Sequence, residues 1–185
     1  MTKIAIIIGS TRPGRKGGEV ADLVFNLARK RNDAVFHLVD IADYKLPLLD
    51  EPKAAVFGQY SKPHTQKWAK TIEGFDGFIF VTPEYNHAPT GALKNAIDYL
   101  YEEWNHKAAG FVSYGGNGGV RAVENLRLIM GALMVADVKS QVSLSLFTDF
   151  ENFNELKPAS YQMKVLQDLF DEVINWSNAL KPLRP

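Results

Sequence analysis

Short, unbroken apolar runs along this chain alternate with longer segments in which apolar side chains return every three or four positions. Ile4-Ala5-Ile6-Ile7-Ile8 is the first run, and without polar alternation it suits a strand covered on both faces, as in a parallel sheet. The spacing of Val20, Leu23, Val24, Leu27 and Ala28 predicts a helix after it. The same rhythm predicts a strand over 34–39, a helix through 68–72, a strand over 77–81, a helix over 92–101 and a strand over 107–114. Val120, Val123, Leu126, Met130 and Leu133 stripe a further helix, 138–146 reads as a strand, and Tyr161, Val165, Leu169, Val173, Trp176 and Leu180 stripe a terminal helix. Strands alternating with helices predict an α/β fold with a doubly wound parallel sheet, because parallel strands need crossovers and crossovers pack right-handedly. The segment 44–63, with Pro47, Pro52, Gly58 and Pro63, is the one long irregular stretch and is expected to be a lid or contact surface. No repeat, low-complexity tract or linker interrupts the pattern, so 1–185 reads as one domain.

Composition narrows the function classes. With 46% hydrophobic types in 185 residues the chain can bury a sizeable core. Lysine plus arginine and aspartate plus glutamate both number 21, so no overall field argues for nucleic acid or an anionic membrane as partner. The absence of cysteine excludes disulfides, thiolate metal sites, iron–sulfur clusters and a cysteine nucleophile, and fits a reducing compartment. The first apolar run is too short for a signal-peptide core or a membrane span, so the expected location is cytoplasmic.

Ligands of doubly wound sheets bind beyond the carboxyl ends of the strands, so the residues after each strand carry the candidate chemistry. After the first strand come Gly9-Ser10-Thr11-Arg12-Pro13-Gly14-Arg15-Lys16-Gly17-Gly18. Ser10 and Thr11 offer hydroxyls, Arg12, Arg15 and Lys16 offer charge, and the glycines let N–H groups converge at the next helix's N-terminus. This predicts a phosphate cradle, the alternative being a solvated basic turn. The nucleotide P-loop pattern is absent because neither Gly9 nor Gly14 continues correctly. Thr11 stands where the dinucleotide fingerprint needs its second glycine, which leaves a mononucleotide phosphate.

The third strand is followed by Thr82-Pro83-Glu84-Tyr85-Asn86-His87 and the fourth by Ser113-Tyr114-Gly115-Gly116-Asn117-Gly118-Gly119. A flat heterocycle such as isoalloxazine needs backbone donors and acceptors along its edge. Pro83 fixes the chain, Tyr85 offers an aromatic surface, Asn86 a polar edge, and the glycines bare the backbone. Each loop alone also reads as a plain turn; three on one rim favour a site.

At these loops the chain resembles the NADPH-dependent FMN reductase family of flavodoxin-like proteins, which spans FMN, quinone, azo-dye and chromate reductases. The resemblance runs nearly the whole length and rests on residues 9–15, 82–86, Gly91-Ala92-Leu93-Lys94-Asn95-Ala96-Ile97-Asp98, and 113–116. It implies a flavodoxin-like sheet in order 2-1-3-4-5, with Ser10, Thr11, Arg12, Arg15, Lys16, Gly17 and Gly18 around the FMN phosphate. It further implies that Pro83, Glu84, Tyr85 and Asn86 run beside the isoalloxazine near N5, and that Ser113, Tyr114, Gly115 and Gly116 bind its pyrimidine edge. Many relatives carry a serine or threonine late in the phosphate loop, where this chain has Gly17 and Gly18. The resemblance also implies a homodimer or dimer of dimers, for which Leu93, Ile97, Leu100, Tyr101 and Trp104 offer a candidate surface; the competing reading has that stripe cover the sheet.

The implied activity is hydride transfer from NADPH or NADH to FMN and on to a small acceptor such as free flavin, a quinone, an azo compound or a metal oxyanion, with ping-pong kinetics and no catalytic side chain. His37, His64, His87 and His106 are scattered, so no metal is assigned. Glu84 reads as a structural or dimer-facing carboxylate, Lys94 and Asp98 as an i, i+4 surface pair, and no Gly-x-Ser-x-Gly elbow supports serine hydrolysis. The rivals are an electron-carrier flavodoxin, against which the neutral composition weighs, and a flavin-binding regulatory protein with little turnover.

Overall fold

Ile4, Ile6 and Ile7 are completely buried, as a strand with packed layers on both faces requires. In the computed structural model, which describes residues 1–184, they lie in β1 (Thr2–Ile8) at the heart of a parallel five-stranded sheet. The other strands are β2 (Ala34–Asp40), β3 (Gly77–Pro83), β4 (Ala108–Gly115) and β5 (Ala136–Ser145). Their order is β2-β1-β3-β4-β5, the flavodoxin-like order the resemblance implied. The crossovers carry α1 (Gly17–Ala28), α2 (Pro63–Glu73), α3 (Gly91–Asp98) and α4 (Val120–Ala132), and α5 (Ser160–Leu180) follows β5.

Two cores follow from the strand period of two. Ile4, Ile6 and Ile8 pack with Val20 and Val24 of α1 and Leu169, Phe170 and Val173 of α5. Ala5 and Ile7 face the other way, with Phe78 and Phe80 of β3, Trp68 of α2 and Leu126 of α4. Gly110 of β4 lets α5 lie flush on the sheet, since a Cβ there would sit 2.6 Å from Leu169 and 2.8 Å from Val173.

The structure departs from the pattern's expectations at four points. The third helix ends at Asp98 rather than running to Tyr101; the Trp104 indole N–H takes the Ile97 carbonyl at 3.1 Å, and the chain continues in turns. Leu93, Ile97, Leu100 and Trp104 are buried in the core, with Tyr101 packed against it, so this stripe covers the sheet and is no subunit surface. On α5 the buried stripe is Gln162, Leu166, Leu169, Phe170, Val173, Ile174 and Ser177, while Tyr161 and Trp176 face solvent. Val120 of α4 is likewise exposed.

Of the predicted irregular stretch, Tyr44 ends a 3-10 turn (Ile41–Tyr44) and Pro63 opens α2; residues 45–62 between them are irregular apart from a short 3-10 turn at Ala55–Phe57, and two carboxylates fasten them. Glu51 accepts the Ser61 and Lys62 N–H groups, both at 2.9 Å. Asp50 accepts from the Tyr99 hydroxyl at 2.9 Å and sits 2.9 Å from His64 Nε2. A feature the sequence pattern did not reveal follows β5: a small antiparallel hairpin of β6 (Phe150–Glu151) and β7 (Glu155–Leu156). Among the described residues no helix is long and apolar enough to cross a membrane.

Candidate functional site

The three predicted loops leave the carboxyl ends of adjacent strands β1, β3 and β4, so they share one rim. Ladder partners Ile8 with Val81, and Pro83 with Tyr114, bring their starting points level. The first loop is pinned at once: the Gly9 N–H donates to the Val81 carbonyl at 2.8 Å, and the Thr90 hydroxyl donates to the Gly9 carbonyl. Thr90 also caps α3 through the Leu93 N–H at 3.0 Å.

Within that loop the three cations do different jobs. Arg15 is drawn inward, paired with Asp40 at the end of β2 and donating to the Ser10 carbonyl at 2.5 Å, so it fixes the loop's shape. Asp40 in turn accepts the Ala42 N–H at 3.0 Å. Arg12 is exposed, has no ion pair among the described residues, and lies over the Tyr85 ring, 5.9 Å from its centroid. Lys16 reaches Asn154 at 2.6 Å and Glu19 at 3.2 Å. Lys16 occupies the N-cap of α1 without supplying a side-chain oxygen, so the N–H groups of the first helical turn have no side-chain cap. Gly17 is needed for close approach: a Cβ there would meet the Tyr114 hydroxyl at 3.0 Å and Ile8 at 3.3 Å. Gly18 faces open space. Thr11 is exposed and shares a cleft of about 320 Å³ with Ile41, Lys45, Leu46 and Asn95.

The loop after β3, called the third loop as the one after β4 is called the fourth, is a tight turn. Tyr85 and Ala88 exchange backbone hydrogen bonds at 2.9 and 3.1 Å, and Asn86 and His87 between them both take positive φ, as a two-residue type I′ turn requires. Asn86 suits that conformation because its short amide tolerates the left-handed region. The Tyr85 hydroxyl lies 3.4 Å from Ser10 Oγ, which ties this loop to the first. Glu84 turns the other way and accepts from the Arg121 Nε at 2.6 Å and N–H at 3.0 Å, at the start of α4. Its near-complete burial works to raise its carboxyl's pKa, but Arg121 outweighs this and holds it below the ordinary range. Glu84 is thus a strut between the third and fourth loops, as its structural reading anticipated.

In the fourth loop the Ser113 hydroxyl is fully buried and donates to the Gly118 carbonyl at 2.6 Å, so it shapes the loop from inside. The carbonyls of Gly115 and Gly116 are taken by the Leu146 N–H at 3.0 Å and the Ser145 hydroxyl at 3.1 Å. Tyr114 is buried behind the first loop, where burial and then the neighbouring Tyr85 push its hydroxyl pKa up, so it stays neutral. The site's fourth wall was not foreseen. Residues 145–159 are organised by buried Asp149, which accepts the Ser145 and Ala159 N–H groups, both at 2.9 Å. They bring the β6–β7 hairpin against the first loop through Asn154 and Lys16.

What this geometry offers is an uncapped helix N-terminus with cations beside it and a ring-sized platform of backbone next to it. A family model described as NADPH-dependent FMN reductase matches residues 2–149. A Schizosaccharomyces pombe protein named NAD(P)H-dependent FMN reductase is 33% identical over 184 residues, spanning 98% of this chain and 85% of its own length. A Nectria protein of the same description is 39% identical, covering 80% of this chain and 79% of the relative. Among solved structures, the Paracoccus denitrificans flavoenzyme NAD(P)H:(acceptor) oxidoreductase superposes with a TM-score of 0.76 at 21% identity, covering 97% of this chain and 98% of that one, a likeness of fold.

Proposed function

The chain belongs to the NADPH-dependent FMN reductase family, and from that premise we propose that it binds FMN across the three loops and passes reducing equivalents from NADPH or NADH to a small acceptor. The observation that carries the reading is the uncapped N-terminus of α1, flanked by Arg12 and Lys16, on the same rim as the turn 85–88 and Gly115-Gly116. FMN fits these residues: first-turn N–H groups and two cations match a phosphate dianion, and the backbone beyond β3 and β4 matches the polar edge of a flat ring. Bound FMN supplies the redox chemistry, accepting a hydride equivalent and giving up two electrons.

The protein's own residues bind and orient. Arg12, Lys16, the Thr11 hydroxyl and the N–H groups of Gly17 and Gly18 hold the phosphate, while Arg15 and the Ser10 hydroxyl, completely buried beside Tyr85 and not lining the cradle as the sequence suggests, keep the loop in shape. Pro83 to Asn86 present backbone to the ring, with Glu84 bracing the turn from behind. The N–H groups of the fourth loop suit the carbonyl oxygens on the ring's pyrimidine edge. No side chain at this rim is required to move a proton. The acceptor is a small molecule: free flavin, a quinone, an azo compound or a metal oxyanion.

The functional unit is one domain that assembles as a cytoplasmic homodimer. Supporting the dimer, Leu48, Leu49, Val56 and Phe57 of the long irregular segment are each exposed, apolar side chains of the kind that subunit contacts cover. The decisive experiment records the visible spectrum of the protein with FMN and then adds NADPH anaerobically. A bound flavin band that bleaches within seconds is expected. Failure to bind FMN overturns the site, and a bound flavin that stays oxidised turns the reading into that of an electron carrier or regulatory protein.

A further inference from the structure

Two large aromatic side chains stand in solvent at the edge of this rim, outside both cores. Phe147 is 70% exposed and Phe153 60% exposed, and their rings meet edge to face with centroids 5.4 Å apart. Phe153 sits at the second central position of the β6–β7 turn with φ +57, after Asn152 at φ +50, where Gly or Asn is the residue that fits without strain. A bulky aromatic held in the left-handed region and left in water gains nothing from the fold. The pair is also not free to wander. Phe147 lies beside the fourth loop, 3.7 Å from where a Cβ on Gly116 would stand. Its N–H donates to Ser145 Oγ at 3.2 Å, and Asn154, next to Phe153, receives Lys16 from the first loop. The segment from Ser145 through the hairpin therefore bridges the phosphate side and the ring side of the platform, with Phe147 before the hairpin and Phe153 on its turn.

We propose that Phe147 and Phe153 form an aromatic wall that recognises a planar aromatic ring brought to the platform, making the pair a specificity determinant for flat aromatic ligands. The inference rests on the FMN-platform reading above. The ring has two possible sources, the isoalloxazine of FMN itself or an aromatic acceptor such as a benzoquinone, and both use the same stacking and edge-to-face chemistry.

The test compares the wild type with a Phe147→Ala/Phe153→Asn double variant. Asn accommodates positive φ, so the variant is expected to fold, which far-UV circular dichroism and the melting temperature check. Two readouts separate the sources: FMN affinity by fluorescence titration, and KM for a benzoquinone against that for ferricyanide, which has no ring. A three- to tenfold loss of FMN affinity assigns the wall to the cofactor. A similar rise in benzoquinone KM with FMN affinity and ferricyanide KM unchanged assigns it to the acceptor. Unchanged values in all three overturn the wall while leaving the FMN site standing. Loss of self-association in gel filtration with unchanged ligand constants also overturns it, making the pair a subunit contact. If the wild type binds no FMN, both readings fall.

Discussion

The Glu84 carboxylate and the Arg121 backbone N–H lie 3.0 Å apart, and the same carboxylate receives the Arg121 guanidinium at 2.6 Å. One side chain thus closes the first turn of α4 and holds the turn after β3 against the loop after β4. Glu84 is only 8% exposed while the Arg121 side chain is 39% exposed, so loss of the carboxylate leaves the guanidinium to water but leaves the first N–H groups of α4 with a weaker acceptor.

Glu84→Gln is therefore expected to cost about 1–3 kcal/mol of stability, the range for breaking a largely buried charged hydrogen bond, and to weaken FMN binding severalfold because the two ring loops lose their common brace. Urea unfolding and FMN titration check this together. A variant as stable as the wild type would show that the strut is ornamental.

Neighbouring glycines in the first loop should behave oppositely. A methyl group at Gly17 meets the Tyr114 hydroxyl at 3.0 Å and Ile8 at 3.3 Å, whereas at Gly18 it meets nothing within 4 Å. Gly17→Ala should lower stability by about 1–3 kcal/mol, as overpacking does. Gly18→Ala should be neutral or stabilising by up to about 1 kcal/mol, since it removes unfolded-state freedom. Equal melting temperatures for the two variants would contradict the packing at Gly17.

The sheet was legible because continuous runs such as Ile4 to Ile8 have one economical explanation, and alternation with helices restricts the order of strands. The loops were legible as chemistry but not as geometry. Charge marks Arg15 as a cation, yet only the neighbouring strand end tells that Asp40 claims it. Ser113 reads as a hydroxyl lining the site until the fold turns it toward Gly118. The buried stripe of α5 escapes apolar spacing because two polar residues, Gln162 and Ser177, belong to it; Gln162 is buried by donating to the Ser143 carbonyl at 2.7 Å. The hairpin went unseen because its strands are two residues long and its turn uses Asn152-Phe153 in place of the usual Asn-Gly signal.

Arg12 and Arg15 provide a second contrast. Arg12 is solvent-exposed and makes no ion pair among the described residues, so Arg12→Ala should leave apoprotein stability unchanged while raising the FMN dissociation constant about 10- to 100-fold, the effect of one lost charge-assisted bond to phosphate. Riboflavin, which lacks the phosphate, should bind the variant and the wild type equally. Arg15→Ala should instead destabilise the apoprotein, because it frees both Asp40 and the Ser10 carbonyl. If Arg12→Ala weakens riboflavin as much as FMN, Arg12 acts on the ring through Tyr85 rather than on the phosphate.

Lys107 gives a pH signature remote from the loops. Its side chain donates to the Ile72 and Glu73 carbonyls at 2.9 and 3.2 Å, closing the C-terminal end of α2. Burial, reinforced by nearby Arg184, lowers its pKa from 10.5 to about 8. Between pH 8 and 10.5 the unfolded chain therefore holds a proton on this amine that the folded chain has released, and stability rises with pH across that window. The neutral amine still has two N–H bonds for its two carbonyls. Above pH 10 the trend reverses, because burial raises the Tyr99 hydroxyl to about 12 and Tyr114 also titrates high, so the unfolded chain loses those protons first. Urea midpoints should climb from pH 8, peak near pH 10 and then fall. In Lys107→Met the climb should vanish and the fall remain; a variant that climbs as the wild type does would mean that Lys107 carries its proton in the fold as readily as in water.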